Sequence, residues 1–248
     1  MRINKAFDLF VVATAAILTV ILLLLPHLDR HMAMQTVAVA TSNKPTVVLD
    51  PGHGGFDGGA QSNGVNEKEI NLAIAEKERL LCELFGFNVV MTRDSDVSIH
   101  DEGNSSVRSM KRSDLHKRLG IMTANPSSVA VSIHMNKFPQ AYVHGAQVFY
   151  SPKSKDSDVL AQTIQDNFRL LLQPDNKRTI KKADKDLFIL YNNDITPAVI
   201  VECGFISNAD EAQKLTTTNY QEQIAMTICY SLMKFQNREE SEVTEVAS

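Results

Sequence analysis

Four residues of the 248 stand where their side chains could do chemistry together: His53, Glu67, His134 and Glu202. His53 lies in Asp50-Pro51-Gly52-His53-Gly54-Gly55, directly after the short β-branched run Thr46–Asp50. Glu67 opens a helical segment, His134 ends Ser132-Ile133-His134, and Glu202 ends Ile200-Val201-Glu202. Two imidazoles and one carboxylate suffice to hold a catalytic zinc ion with a fourth position left for water. Such an ion brings the pKa of its water to about 7. A second carboxylate can then take the water's proton and hand it to a leaving nitrogen. The glycines flanking His53 let the backbone bend sharply and approach a substrate, and Asp50 or Asp57 is placed to orient the imidazole from behind.

Each signal also has a plainer explanation. A Gly-rich loop after a strand is often a phosphate cradle or a simple turn, although Gly54-Gly55-Phe56-Asp57 lacks the Gly-Lys-Ser/Thr of a P-loop and the full dinucleotide spacing. A lone strand-end His is commonly a satisfied structural group. Glu67 alone is explained as an acid complementing the dipole at a helix start. Glu202 is harder to dismiss, because a carboxylate ending an apolar strand is seldom buried without a partner.

Positioning these groups requires strands that end at one rim. Thr46–Asp50, Phe87–Thr92, Val129–His134, Gly145–Tyr150, Leu187–Tyr191 and Pro197–Cys203 read as strands. Glu67–Phe85 has apolar residues at helical spacing with Gly86 as a C-cap, and Ser113-Asp114 can cap a helix to about Thr123. Asp156–Leu172, Asn208–Leu215 and Asn219–Phe235 are the remaining helices, and Arg93–Arg112 reads as a long polar loop. Strands alternating with helices imply one α/β domain with a largely parallel, twisted sheet of about six strands covered by helices on both faces. In such sheets working residues gather past the C-terminal strand ends.

Composition narrows the function classes. Lys+Arg 25 against Asp+Glu 29 leaves a net charge of −4, so there is no electrostatic footprint for nucleic acid. Three scattered cysteines (Cys82, Cys203, Cys229) exclude a disulfide scaffold and a Cys-rich zinc module. The absence of Trp argues against an appended sugar-stacking module. Residues 9–25 carry no charge, follow Arg2 and Lys5, and stop at Pro26. That run is at the short end of the about 20 residues a membrane span needs, and its basic flank sends the rest of the chain outward. Residues 1–40 are therefore read as an N-terminal apolar export or anchor helix with its flank, 41–236 as the catalytic domain, and 237–248 as a disordered acidic tail. Ala38-Val39-Ala40 has the form of a cleavage site but lies far beyond the apolar run.

The motifs Val48-Leu49-Asp50-Pro51-Gly52-His53-Gly54-Gly55, Asn66-Glu67-Lys68-Glu69, Thr92-Arg93, Ala124-Asn125, Ser132-Ile133-His134-Met135-Asn136 and Val201-Glu202-Cys203-Gly204-Phe205-Ile206-Ser207-Asn208 occur in this order. Together they resemble the zinc-dependent N-acetylmuramoyl-L-alanine amidases of the amidase-3 type, and within that family its spore germination-specific branch. The resemblance covers about residues 46–236. It implies one Zn2+ held by His53, Glu67 and His134, with Glu202 as the catalytic carboxylate. The reaction implied is hydrolysis of the amide joining the lactyl group of N-acetylmuramic acid to L-alanine of the stem peptide. Arg118, Asn125 and Asn136 match family positions and are expected to be structural or substrate-orienting, beside Asp50 and Asp57.

The branch further implies a place in spore cortex maturation. Stem removal would precede a muramic acid deacetylase and lactam formation, after export across the cytoplasmic membrane to the forespore envelope and cortex side, where the chain is membrane-anchored or secreted. The expected partners are peptidoglycan glycan strands with their stem peptides, the membrane through the N-terminal segment, and an unidentified activating protein. Two competing functions are a zinc carboxypeptidase cutting within the stem peptide and a non-catalytic, membrane-tethered wall or spore-assembly module. His144, just before Gly145, can line a cleft; the basic run Lys177-Arg178-Lys181-Lys182-Lys185 is most simply a solvated connection, with acidic stem-peptide groups or the glycan as the alternative it could face.

Overall fold

The computed structural model describes residues 44–103 and 105–246, with side chains described as far as 238. The apolar segment 9–25 lies outside them. Among the described residues no helix is long and apolar enough to cross a membrane.

Among the described residues, eight strands and six helices follow in chain order. They are β1 Thr46–Pro51, β2 Gln61–Ser62, β3 Val65–Asn66, α1 Glu67–Leu84, β4 Asn88–Met91, α2 Val107–Met122, β5 Ser128–Asn136, β6 Gln147–Tyr150, α3 Ser157–Asn167, β7 Lys181–Lys182, α4 Phe188–Tyr191, β8 Ala198–Phe205, α5 Ala209–Leu215 and α6 Thr218–Val246. Six strands form one sheet in the order β4-β1-β5-β8-β6-β7, while β2 and β3 make a separate small hairpin. β4, β1, β5 and β8 run parallel, and β6 turns back antiparallel to β8.

Strand alternation sorts the residues between two cores. Val47, Leu49, Val129, Val131, Ile133, Val199 and Val201 point into the larger core, with Ile74 and Cys82 of α1 and Ile224 and Ile228 of α6. Val48, Ala130, Ala198 and Ile200 point the other way, against Met122 of α2 and Ile189 and Leu190 of α4. Burial on both faces explains why these strands read as continuous β-branched runs rather than alternating ones. Followed toward the strand ends, the parity of the second face passes to Asp50, Ser132, His134 and Glu202. Where the apolar residues of that face stop, the polar ones begin.

Several local expectations are corrected. α2 starts six residues before Ser113, because Ser106 and Ser109 make a reciprocal capping box upstream. Ser113 and Asp114 instead bond back to Asp101 and to Ser98 and Ile99. Leu187–Tyr191 holds a helical turn rather than a strand, since a five-residue apolar run has no decisive period and an Asx turn at Asp184 enters it. The helix expected to reach Leu172 loosens into a π-turn over Phe168–Leu172. α6 continues to Val246, so the backbone over 237–246 is helical where a disordered tail was expected. Glutamates are good helix formers. The C-cap of α1 is as expected. Gly86 is left-handed at φ 93, and Phe87 N–H and Gly86 N–H reach back to the carbonyls of Cys82 and Glu83 in a Schellman motif.

Candidate metal centre

His53 sits in the turn after β1 at φ 62, a left-handed conformation that is costly for a non-glycine residue. Three neighbours hold it there. Asp57 Oδ2 lies 3.0 Å from its Nδ1, Arg118 Nη2 donates to its carbonyl at 2.6 Å, and Arg93 ties down the adjoining Pro51 and Gly52 carbonyls. With Nδ1 engaged, Nε2 faces Glu67 Oε1 at 3.2 Å. His134, near the end of β5, brings its Nδ1 to the same Oε1 at 2.9 Å. The two rings meet edge to face with centroids 4.9 Å apart. One ligand atom from each of His53, Glu67 and His134 lies within 4.8 Å of the others, a spacing that could hold a metal ion.

Glu67 enters this cluster because α1 starts directly beneath the rim. Its Oε2 accepts from Ala60 N–H at 2.7 Å and its Oε1 from Met135 N–H at 3.1 Å, and Asn71, one turn along α1, links Glu67 Oε1 to the Gly52 carbonyl. Close approach leaves no room for extra atoms. A Cβ on Gly52 would fall 2.2 Å from the His134 ring, and one on Gly59 (φ 68) would fall 2.5 Å from Glu67 Oε2.

Sheet register completes the arrangement. Glu202 on β8 pairs with His134 on β5, and Gln147 on β6 pairs with Glu202. The Glu202 Oε2 atom is shielded from solvent and has no hydrogen-bond partner. Burial pushes its carboxyl up to about 7, with Glu67 adding to the shift and the two histidines opposing it. Burial works against a charge on His53, but its hydrogen bonds to Asp57 and Glu67 and their negative charges prevail and raise it to about 9. The two imidazoles hold Glu67 well below the usual carboxylate range despite its burial. Carboxylates pushed in opposite directions within one cluster mark a site with two roles to fill.

The other expected site residues are divided by the fold. Asp57 orients His53 directly. Asp50 does not: it is wholly buried and bonds Arg118, Thr92 and Ser132, reaching His53 only through Arg118. Arg118 is itself buried, spanning Asp50, Asp114 and the Pro51 and His53 carbonyls. It positions the turn, and its edge also lines the cleft beside the cluster. Asn125 sits in the turn before β5, at the far end of that strand from His134, where its Oδ1 accepts from Ser127 N–H. It has no part in the cluster. Asn136 is at the rim, and its carbonyl accepts from Ile206 N–H.

The residues that sequence reasoning missed are Asn71, Ser132, Asp114 and Lys111. Ser132 shares strand parity with His134, and Asn71 lies one turn from Glu67, so both signals were available. The Lys111–Asp57 pair at 2.9 Å joins two elements far apart in sequence and has no local signal. Beside the cluster opens a cleft of about 220 Å³, walled by Phe56, Lys111, Leu115, Arg118, His134 and Ile189.

A three-donor cluster at the C-terminal rim of a mostly parallel sheet, with a shielded carboxylate on the neighbouring strand, is the layout of a metal-assisted hydrolase. The chain belongs to the N-acetylmuramoyl-L-alanine amidase family, whose model matches residues 47–234. It is 34% identical over 190 residues to the germination-specific N-acetylmuramoyl-L-alanine amidase of Bacillus subtilis, covering 76% of this chain and 78% of that one. It is similar in structure to the CwlD amidase from Clostridioides difficile, solved in complex with the GerS lipoprotein, with 39% identity, a TM-score of 0.74, and coverage of 79% of this chain and 99% of that one. An N-acetylmuramoyl-L-alanine amidase of Clostridium difficile 630 is 29% identical with a TM-score of 0.66, covering 79% and 98% of the two chains.

Proposed function

We propose that the chain hydrolyses the amide between N-acetylmuramic acid and L-alanine of peptidoglycan stem peptides, with one Zn2+ held by His53, Glu67 and His134 and with Glu202 as the catalytic carboxylate. The observation that carries this reading is the convergence of His53 and His134 on Glu67 Oε1, with Glu202, whose shielded Oε2 has no hydrogen-bond partner among the described residues, one strand away. The donors suit zinc: two imidazole nitrogens and one carboxylate oxygen, with Asp57 on the far side of the His53 ring to fix its tautomer. When bound, such an ion supplies Lewis acidity toward the substrate carbonyl and a water acidic enough to lose its proton near pH 7.

The protein's residues do the rest. Glu202 takes the proton from the attacking water and returns it to the departing L-alanine nitrogen, which must leave as a neutral amine. Burial keeps Glu202 basic enough to accept that proton. Phe56, Leu115 and Ile189 give the cleft beside the cluster an apolar wall for the substrate to pack against. Asp57, held by Lys111, keeps the His53 ring turned toward the cluster.

The likeness to a germination-specific relative supports a role in spore cortex maturation, upstream of a muramic acid deacetylase. The complex formed by the CwlD relative supports a protein partner at the envelope. Residues 1–40 are the proposed export signal and membrane anchor. The test is mass spectrometry of a defined muramyl tetrapeptide incubated with the zinc-loaded chain. Free muramic lactyl groups together with intact stem peptides beginning at L-alanine are expected. Shortened stems would make the chain a carboxypeptidase, and no cleavage by a zinc-loaded chain would leave a non-catalytic assembly module. For the cortex role, expression in a spore former lacking its own such amidase is expected to restore muramic lactam.

A further inference from the structure

Arg178 and His144 belong to no part of the hydrolytic cluster, yet they meet the sheet at Gln147, two strands over from His134. The connection after the π-turn carries Arg178 back across the rim, where its Nε donates to the His144 carbonyl at 2.9 Å and its Nη1 to Gln147 Oε1 at 3.3 Å. The guanidinium also lies 4.5 Å over the Phe205 ring. Three contacts on three segments stiffen a side chain that is ordinarily mobile. Nη2 donates to no described residue, and no described carboxylate lies in ion-pair range of the guanidinium. Glu211 is the one acid whose charge reaches it, and both Glu211 oxygens are occupied by the Gly145 and Phe205 N–H groups. Arg178 is thus a pre-positioned cation, half-buried, with one edge of its fork unused.

Its place is set by the sheet. Gln147, which Arg178 grips, is the strand neighbour of Glu202, itself the neighbour of His134. Two strand spacings put Gln147 about 10 Å from His134, roughly three residues of extended peptide. Arg178 and Lys177 wall a recess of about 380 Å³ with Tyr142 and His144. The recess offers two cations and an exposed aromatic ring, with one acid, Asp175, also on its wall but out of ion-pair range of Arg178, and a planar carboxylate is the group that a guanidinium edge fits best.

We propose that this recess binds a side carboxylate of the stem peptide on the amine side of the scissile bond, with Arg178 as the specificity-determining residue. The inference rests on the amidase reading above and adds which end of the substrate lies toward β6. Peptides with a free carboxylate at the residue after L-alanine, or at the next one, are then preferred over their carboxamides.

The test compares paired muramyl peptides, acid and amide, with the zinc-loaded full chain and its Arg178→Gln, Arg178→Lys and Lys185→Gln variants. A charged hydrogen bond made only by the acid predicts a preference of about tenfold in kcat/KM, carried in KM. Arg178→Gln is expected to reduce it to less than about twofold, Arg178→Lys to leave an intermediate value through the retained point charge, and Lys185→Gln to leave it unchanged. Equal rates on acid and amide by the unaltered chain, or a preference that survives in Arg178→Gln, would overturn the proposal. Calorimetric binding of the free stem peptides reads the recess without turnover. An acid preference in binding that depends on Arg178 supports the recess even if no amide is cut, in which case it is the amidase reading that fails.

Discussion

His53 couples a left-handed backbone to an ionic grip, and that coupling sets how the centre responds to pH. In the metal-free chain its pKa is raised from 6.5 to about 9. The protonated ring therefore stabilises the fold fully below 6.5, and the contribution is lost as pH rises through about 9. A cation entering the cluster must displace that proton. Zinc affinity is accordingly expected to rise about tenfold per pH unit between about pH 6.5 and 8, measured by competition with a chromophoric chelator. A flat profile would mean that the ring is already neutral. Glu202 makes a complementary prediction. Glu202→Gln keeps the side chain's size and removes its basicity, so zinc stoichiometry should be unchanged while kcat falls about 10²- to 10⁴-fold. Near-normal turnover in that variant would remove Glu202 from the mechanism.

At the scale of elements, the cluster depends on three pieces being pulled together: the turn after β1, the start of α1 and the end of β5. The Asp50–Arg118–Asp114 network ties the first of these to α2, with both Arg118 contacts buried. Removing the cation with Arg118→Met strands two buried carboxylates, and a loss of about 3–5 kcal/mol is expected by urea denaturation. Because Arg118 holds Asp50 below its ordinary pKa of 3.8, the network's contribution is present above that value and disappears as the pH falls below it. Gly52→Ala drives a Cβ into the His134 ring and should cost zinc affinity while leaving the far end of the sheet intact, as read by metal titration beside circular dichroism.

The legibility of these elements in the sequence follows the same physics. Thr46–Asp50, Val129–His134 and the Gly86 cap were readable because β-branched runs and a left-handed glycine are local signals. The start of α2 was misplaced because only Val107 and Met110 are apolar in its first turns, so the Ser106–Ser109 box was the sole marker. Leu187–Tyr191 was misread because a short apolar run suits a strand and a helical turn equally. Of the site, the three donors that converge and the strand position of Glu202 beside them were legible from strand ends and motifs. The Asp50–Arg118 pairing was not, since it spans 68 positions and has no periodicity to betray it.

For the whole molecule, the two cores carry unequal burdens. The larger one contains Glu78, wholly buried between α1 and α6 with neither carboxylate oxygen hydrogen bonded. Burial, and secondarily the Cys229 thiol, raises its pKa well above 4.5. Its contribution to stability is therefore complete below 4.5 and lost as the pH climbs through the raised value. Glu78→Met is expected to stabilise the chain, with a larger gain at pH 8 than at pH 5, measured by urea denaturation of the metal-free protein. An equal gain at both would mean the carboxyl is already ionised at pH 5 in the folded chain, as it is in the unfolded one. Zinc acts in the opposite region: binding only the folded chain, it should stabilise by about 2.7 kcal/mol at a hundredfold excess over Kd, an effect a chelator reverses in thermal melts. The reversal of β6 against β8 has one more consequence. Because β6 runs backward, the segment 137–146 leaves β5 at the rim and re-enters the sheet at the rim, never descending through the body. Lengthening or trimming it short of the buried Ala146 changes no strand pairing and no core residue. Within a lineage of such enzymes, this is the stretch where natural variation can retune which wall polymer is accepted while the folding problem stays solved.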